Sequence, residues 1–188
     1  MKGLILISGG FDSAVVAKIM KDKGLELKAI HFSYEPFTNN SPEIKSREIC
    51  KILNIPFEVY NISKEIEKIS KKCIHKYYFI LTKRLMHKKA EEIAKKEKYD
   101  VLINGENIGQ VGSQTIENLM SIDNAVRITI LRPVLCLDKQ EIIDKAREFG
   151  FYDLCSGPEV CDILGPKNPA TKTKIEIIEK EEKKWMYT

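Results

Sequence analysis

Residues 4–16 read Leu4-Ile5-Leu6-Ile7-Ser8-Gly9-Gly10-Phe11-Asp12-Ser13-Ala14-Val15-Val16, and this junction decides the fold. An apolar run feeds a Gly-rich turn, and a helical pattern follows directly. Such a turn aims several backbone N–H groups at one point, and the positive end of the helix dipole adds to their pull on an anion. Gly9 and Gly10 let the backbone approach closely where a Cβ would obstruct. Ser8 and Ser13 add hydroxyls, and Asp12 sets a carboxylate beside a bound phosphate, which suits an intervening divalent cation. The chain is therefore expected to handle a nucleotide. Two common nucleotide loops are excluded. No Lys follows Gly10 at the helix start, as the Gly-x-x-x-x-Gly-Lys loop requires, and Gly-x-Gly-x-x-Gly is absent too.

Apolar runs and helical patterns go on alternating along the chain. Lys2–Ile7, Glu26–Phe32, Phe57–Ile62, Val101–Asn104 and Ile128–Leu131 read as strands. Ser13–Lys23, Ser41–Leu53, a long region over 64–98 with a break near Cys73, part of Ile108–Met120, Lys139–Phe149 and Lys172–Lys184 read as helices. Ser41-Pro42 suits an N-cap and first turn, Asp138 with Glu141 a capping box, and Gly150 a helix stop. Phe151–Thr171 reads as loop. This order predicts an α/β fold: a parallel sheet of about five strands with helices on both faces, ligands binding at the carboxyl ends of the strands. Residues 1–188 are expected to form a single domain ending in a charged helix.

At 43% hydrophobic and 31% charged the composition is that of an ordinary globular protein. No apolar stretch reaches the ~18 residues of a membrane span. Met1-Lys2-Gly3 runs into the first strand without room for a secretion signal. The five cysteines, Cys50, Cys73, Cys136, Cys155 and Cys161, match neither a zinc site nor a secreted disulfide framework, so a reducing cytoplasm is expected. Cys50, Cys73 and Cys136 lie on apolar faces and are expected in the core. Cys161, in a Pro/Gly-rich loop, is the thiol expected to meet solvent, and Cys155 precedes it in the same loop. The net charge of +4 is unevenly spread: residues 71–98 carry ten Lys/Arg and three Glu, interleaved with His75, Tyr77, Tyr78, Phe79 and His87. Such a stretch either tracks a nucleic-acid backbone or forms the solvated face of an amphipathic helix.

Ser8-Gly9-Gly10-Phe11-Asp12-Ser13 resembles the pyrophosphate-binding loop of the PP-loop ATP pyrophosphatases, which cleave ATP between its α- and β-phosphates and adenylate an oxygen. The second half narrows the resemblance. Asn104-Gly105-Glu106 through Gln114-Thr115, Ser121-Ile122-Asp123-Asn124, Ile130-Leu131-Arg132-Pro133, Asp138-Lys139 and Pro158-Glu159-Val160-Cys161 resemble the ATPase domain of the ThiI-type tRNA 4-thiouridine synthases, the tRNA sulfurtransferases. The resemblance covers nearly the whole chain and implies an adenine nucleotide α-hydrolase (PP-loop, Rossmann-like) fold.

By that resemblance Ser8, Gly9, Gly10, Asp12 and Ser13 cradle pyrophosphate, and Leu6, Ile7, His31, Phe32, Lys83, Gly105 and Gln114 contact ATP. Asp12 holds magnesium, Lys139 stabilises the adenylation transition state, and Cys161 handles sulfur. Proximity in sequence adds Cys155 as a candidate for resolving a persulfide. The implied chemistry is Mg·ATP-dependent adenylation of a tRNA uridine, then replacement of AMP by sulfur from a donor or persulfide carrier. Full-length members of the family carry extra N-terminal domains, including a THUMP module; with the loop at residue 8, the chain is expected to be a stand-alone catalytic core without THUMP or rhodanese domains. Three expectations stay open: one module of a split enzyme with a separate tRNA-binding subunit, an enzyme that binds tRNA through its own basic helix and a dimer partner, or an enzyme acting on a small molecule in thiamine or thio-cofactor synthesis. A nucleotide-binding regulator without turnover is the rival from another class.

Overall fold

The computed structural model describes residues 1–110, 112–157 and 164–186. Five strands, β1 (Lys2–Leu6), β2 (Glu26–Ser33), β3 (Phe57–Asn61), β4 (Val101–Ile103) and β5 (Thr129–Leu131), form one sheet in the order β3-β2-β1-β4-β5. Every pairing is parallel; Gly3, Leu4 and Ile5 face Leu27, Lys28 and Ala29 on one side and Val101, Leu102 and Ile103 on the other. The chain builds outward from β1 through β2 to β3, then returns to lay β4 on the opposite flank. That reversal makes a crevice at the carboxyl end of β1, where open parallel sheets take their ligands.

Period-two alternation sends successive strand residues to opposite faces. Ile5, Ala29 and Ile103 pack with α1 (Phe11–Asp22), α2 (Ser41–Ile52), α6 (Lys139–Glu148) and α7 (Tyr152–Cys155). Leu4, Ile30 and Leu102 pack with α3 (Ser63–Lys72), α4 (Tyr78–Glu97), α5 (Ile116–Asp123) and α8 (Ile175–Met186). Both faces are covered, as the apolar strands anticipate.

Local chemistry explains most boundaries. The Asp138 side chain accepts from Glu141 N–H while the Glu141 carboxylate accepts from Asp138 N–H, closing the expected capping box on α6. The long basic region does break at Cys73, with a short 3₁₀ turn at His75–Tyr77 between α3 and α4.

Four expectations are corrected. Helix α1 begins at Phe11 rather than Ser13, because Gly10 serves as N-cap and leaves Asp12 and Ser13 in the first turn. Asn40, not Ser41, is the N-cap of α2. Residues Tyr152–Cys155 within the expected loop form α7, because Phe151 and Cys155 find places in the core. Cys136 is exposed rather than core: Pro133 ends the strand, and Val134 takes the buried position of the turn that follows.

The basic stretch is largely internal bookkeeping of charge. Lys71, Lys83, Arg84, Lys88, Lys89 and Lys95 pair with Glu67, Glu106, Glu182, Glu182, Glu65 and Glu91. Arg84 is fully buried, donating to Glu182 and the Ser121 carbonyl, and this fastens α8 to α4 and α5.

Candidate active site

Gly9 has φ +78°, a left-handed conformation that a side chain would strain, and a Cβ there would fall 2.7 Å from the Pro42 carbonyl. Gly10 differs: its nearest neighbour to an added Cβ is Ser8 Oγ at 3.6 Å, so its open side faces the crevice rather than protein. Helix α1 starts with no side-chain cap, and its first regular bond runs from Ala14 N–H to Gly10 O. The amides before Ala14 have no partner within the helix and stand at its positive end. Ser13 Oγ donates to Gly10 O at 2.9 Å and lies 3.3 Å from both Ser8 N and Ser8 Oγ, which holds the two hydroxyls together across the turn.

The loop after β4 closes on this turn. A Cβ at Gly105 would meet the Asp12 backbone carbon at 2.9 Å and Ser13 N at 3.0 Å, so only glycine lets the strand end pack here. Gln110 Nε2 donates to Asp12 Oδ1 at 3.3 Å. From the far side Lys139, the first residue of α6, sets its Nζ 3.4 Å from Asp12 Oδ2 and 5.7 Å from the Phe11 ring centroid. These contacts are long, and the Asp12 carboxylate keeps part of its surface in solvent. An acidic oxygen so loosely engaged beside a phosphate-shaped turn fits a hard divalent cation.

Beside the turn lies an open cleft lined by Leu6, Ile7, Ser8, His31, Phe32 and Tyr34 among others. Its mostly apolar wall suits a planar heterocycle. His31 is buried, and burial holds its pKa below the usual histidine value, so the ring is neutral. Its Nδ1 lies 2.9 Å from Ile7 O; a carbonyl only accepts, so Nδ1 carries the proton and Nε2 is left as an acceptor.

A buried polar cluster supports the end of β4. Lys83 Nζ lies 3.0 Å from Glu106 Oε1, and Arg132 Nε donates to Glu106 Oε2 at 2.9 Å. Asn104 Nδ2 donates to Glu106 Oε2 at 3.0 Å and to His87 Nε2 at 2.9 Å, while His87 Nδ1 donates to Lys83 O at 2.7 Å. Burial alone would push the Glu106 carboxyl up, but the surrounding cations, Lys83 foremost, hold it well below the carboxylate range. Burial keeps His87 neutral. Lys83 therefore reaches the carboxyl end of β4 from α4, anchored to a carboxylate one residue beyond Gly105.

The structure thus gathers Ser8, Gly9, Gly10, Asp12, Ser13, Gly105 and Lys139 round one turn, and sets Leu6, Ile7, His31 and Phe32 along the adjoining cleft. Gln114 stands in the loop that carries Gln110, its carbonyl accepting from Gly109 N–H at 2.9 Å. Cys161 lies outside the described residues. Cys155 is buried at the end of α7, not solvent-available. Burial pushes its thiol up to about 11, with Lys45 pulling down and Asp12 adding to the rise. The role of Glu106 was not legible beforehand, nor were those of His87, Arg132 and Gln110; an Asn-Gly-Glu closing a buried strand was the available signal.

A family model described as "Thiamine biosynthesis protein (ThiI)" matches residues 1–187. A "Probable tRNA sulfurtransferase" of Thermoanaerobacter pseudethanolicus is 39% identical over 190 residues, covering 97% of this chain and 50% of that protein. One from Finegoldia magna is 37% identical over 188 residues, covering 96% and 48%. A 4-thiouridine synthetase solved in complex with RNA and bound ATP superposes with a TM-score of 0.93 at 35% identity, over 98% of this chain and 50% of that one. The NMN synthetase of Francisella tularensis, with TM-score 0.66 at 17% identity over 97% of this chain and 77% of its own, shares the fold alone. The chain spans about half the length of the curated relatives it matches.

Proposed function

Because the chain belongs to the ThiI family, we propose that residues 1–188 form one PP-loop domain that activates a tRNA uridine with ATP for 4-thiouridine formation. The observation that carries this reading is the meeting of Asp12 and Lys139 over the Gly9-Gly10 turn, beside a mostly apolar cleft. The 4-thiouridine synthetase that superposes so closely was solved with RNA and ATP, which supports both ligands here.

In this reading the adenosine lies along Leu6, Ile7, His31 and Phe32, with Lys83, Gly105 and Gln114 at its phosphate side. The first-turn amides of α1 and the hydroxyls of Ser8 and Ser13 bind the β- and γ-phosphates. Asp12 holds magnesium, which neutralises phosphate charge when bound. Lys139 gives up its loose contact with Asp12 and turns to the charge that develops on the α-phosphate as the uridine oxygen attacks and pyrophosphate leaves. The oxygen, now esterified to AMP, is a good leaving group: the outer sulfur of a Cys161 persulfide bonds to its carbon and AMP departs. A second thiol then attacks the Cys161 sulfur, the S–S bond to the product breaks to release 4-thiouridine, and Cys161 is left in a disulfide with that thiol. The work of the site is positioning and charge stabilisation.

Further partners belong to the proposal: a sulfur donor or persulfide carrier, a separate tRNA-binding subunit, and a second copy of the chain in a homodimer. Purified protein incubated with magnesium and ATP labelled on its α-phosphate, with and without unmodified tRNA, tests the reading. Trapped adenylyl-tRNA, or AMP release that requires tRNA, is the expected result. Nucleotide binding with no tRNA-dependent product would overturn a stand-alone tRNA enzyme and direct attention to a partner subunit or a small-molecule acceptor.

A further inference from the structure

Asn107 has no part in the chemistry above, yet it is buried within the loop that closes on the nucleotide turn. Its Nδ2 donates to Val134 O at 2.6 Å and also to Leu137 O. A carbonyl only accepts, so both N–H groups of the amide are spent on the turn that follows β5. Ile108 N–H donates to a third carbonyl of that turn, Leu135 O, at 2.9 Å. Leu137 immediately precedes Asp138, the N-cap of α6, and Lys139 comes next.

The first turn of α6 buries none of its own residues. Asp138, Lys139, Gln140 and Glu141 are all exposed, and it is Ile142 and Ala146 that pack the later turns of the helix into the core. What locates Lys139 is therefore the turn before it, which is held by buried Val134 and by the two hydrogen bonds from Asn107. Three successive residues act as one strap: Gly105 packs on Asp12 and Ser13, Glu106 holds Lys83, and Asn107 holds the approach to Lys139.

A buried asparagine invites the simpler idea that it only satisfies loop carbonyls and stabilises the fold. The placement argues for more. Val134 O already accepts from Leu137 N–H at 3.1 Å, so the turn closes without help. What Asn107 adds is a link from that turn to the strand end that touches Asp12. Lys139 Nζ stands 3.4 Å from Asp12 Oδ2. Misplacing a catalytic group by ~1 Å can cost about 10²-fold in rate, so the link matters to the chemistry.

We propose that Asn107 is a positioning residue that ties the start of α6 to the end of β4, so that Lys139 stands over the nucleotide turn when the α-phosphate reacts. It acts through Lys139 and not on the substrate. This rests on the reading of Asp12 and Lys139 as the centre of adenylation.

The test compares Asn107→Ala and Asn107→Ser with the unaltered chain. Serine keeps one donor, and it decides by the same criteria if the alanine variant does not fold. The first readout is amide hydrogen exchange followed by NMR. Leu137 and Ile142 donate their N–H groups to Val134 O and Asp138 O, and Phe149 at the far end of α6 donates to Lys145 O. With alanine, Leu137 and Ile142 should exchange about ten-fold faster while Phe149 stays protected. Unchanged Leu137 and Ile142, or Phe149 rising with them, would overturn the anchoring. The second readout is tRNA-dependent AMP formation. Alanine should lower kcat by about 10–10²-fold and leave KM for ATP within about two-fold, with a smaller loss for serine. Added to Lys139→Met it should have no further effect, because a residue that acts through Lys139 has nothing left to position. A rise in KM for ATP in place of the fall in kcat, or a double variant slower than Lys139→Met alone, would overturn the proposal. If the unaltered chain forms no AMP, the adenylation reading falls and takes the catalytic half with it. The exchange result then still decides the anchoring.

Discussion

The Asp12 carboxylate and the Lys139 ammonium are 127 positions apart in sequence and 3.4 Å apart in the fold, one in the first turn of α1 and the other in the first turn of α6. Neither is buried, so the contact adds little stability. Its consequence is positional: an anion and a cation wait at the mouth of one phosphate-shaped turn. Asp12→Ala should therefore abolish AMP formation, and Lys139→Met should slow it by about 10²–10³-fold, the usual loss for one preorganised charge-stabilising group. Melting temperatures should stay close to that of the unaltered chain. Retained turnover in either variant would refute the assigned role.

The two loop glycines should separate folding from binding. Gly9→Ala forces a side chain into φ +78° and against the Pro42 carbonyl, and should cost more than ~1 kcal/mol in urea unfolding. Gly10→Ala places its methyl in open space on the crevice side, so stability should change by less than about 0.5 kcal/mol while ATP affinity drops. Calorimetric titration with ATP beside the unfolding curves checks both. A Gly10→Ala protein that binds ATP normally would show that the phosphates lie elsewhere.

Glu106 is buried among Lys83, Arg132 and His87. Glu106→Gln leaves the Lys83 and Arg132 cations without their shared carboxylate, and removing one partner of a buried ionic cluster costs about 3–5 kcal/mol. Chemical denaturation should show a fall of that order, and a change below ~1 kcal/mol would mean that water already shields the cluster.

Acid should weaken the fold in two stages. His31 and His87 have folded pKa values below the ordinary 6.5 because both are buried. Below pH 6.5 the unfolded chain takes up protons that the folded one refuses. Stability is full above that pH and falls by up to ~1.4 kcal/mol per pH unit per histidine until the folded pKa is passed. Glu106, whose folded pKa is also depressed, adds a second decline as pH drops below the ordinary 4.5. Unfolding curves at a series of pH values would show both stages, and His87→Gln should flatten the first. A stability that does not change between pH 7 and 5 would contradict the buried, neutral histidines.

The five strands, most of the helices and the phosphate turn were legible because each rests on local pattern: apolar runs of strand length, helical spacing, glycines at a strand end, and a capping box at Asp138 and Glu141; the order of the strands in the sheet was not. The helix at Tyr152–Cys155 was missed because its four residues are too few to show a period. Cys136 and Cys155 exchanged places for a related reason. Which of two similar cysteines is buried depends on what packs above it, and apolar neighbours in sequence do not reveal that.

By itself the sequence determined the α/β class, the turn at Ser8–Ser13 and the residue types able to act there, since propensity, periodicity and loop chemistry act over a few neighbouring residues. Only the tertiary structure decided the partners: Lys139 with Asp12, Lys83 with Glu106, Lys45 with the end of α7. Those contacts span 23 to 127 positions. They exist because the reversal between β1 and β4 brings separate strand ends and helix ends to one crevice, and no local signal encodes such a meeting.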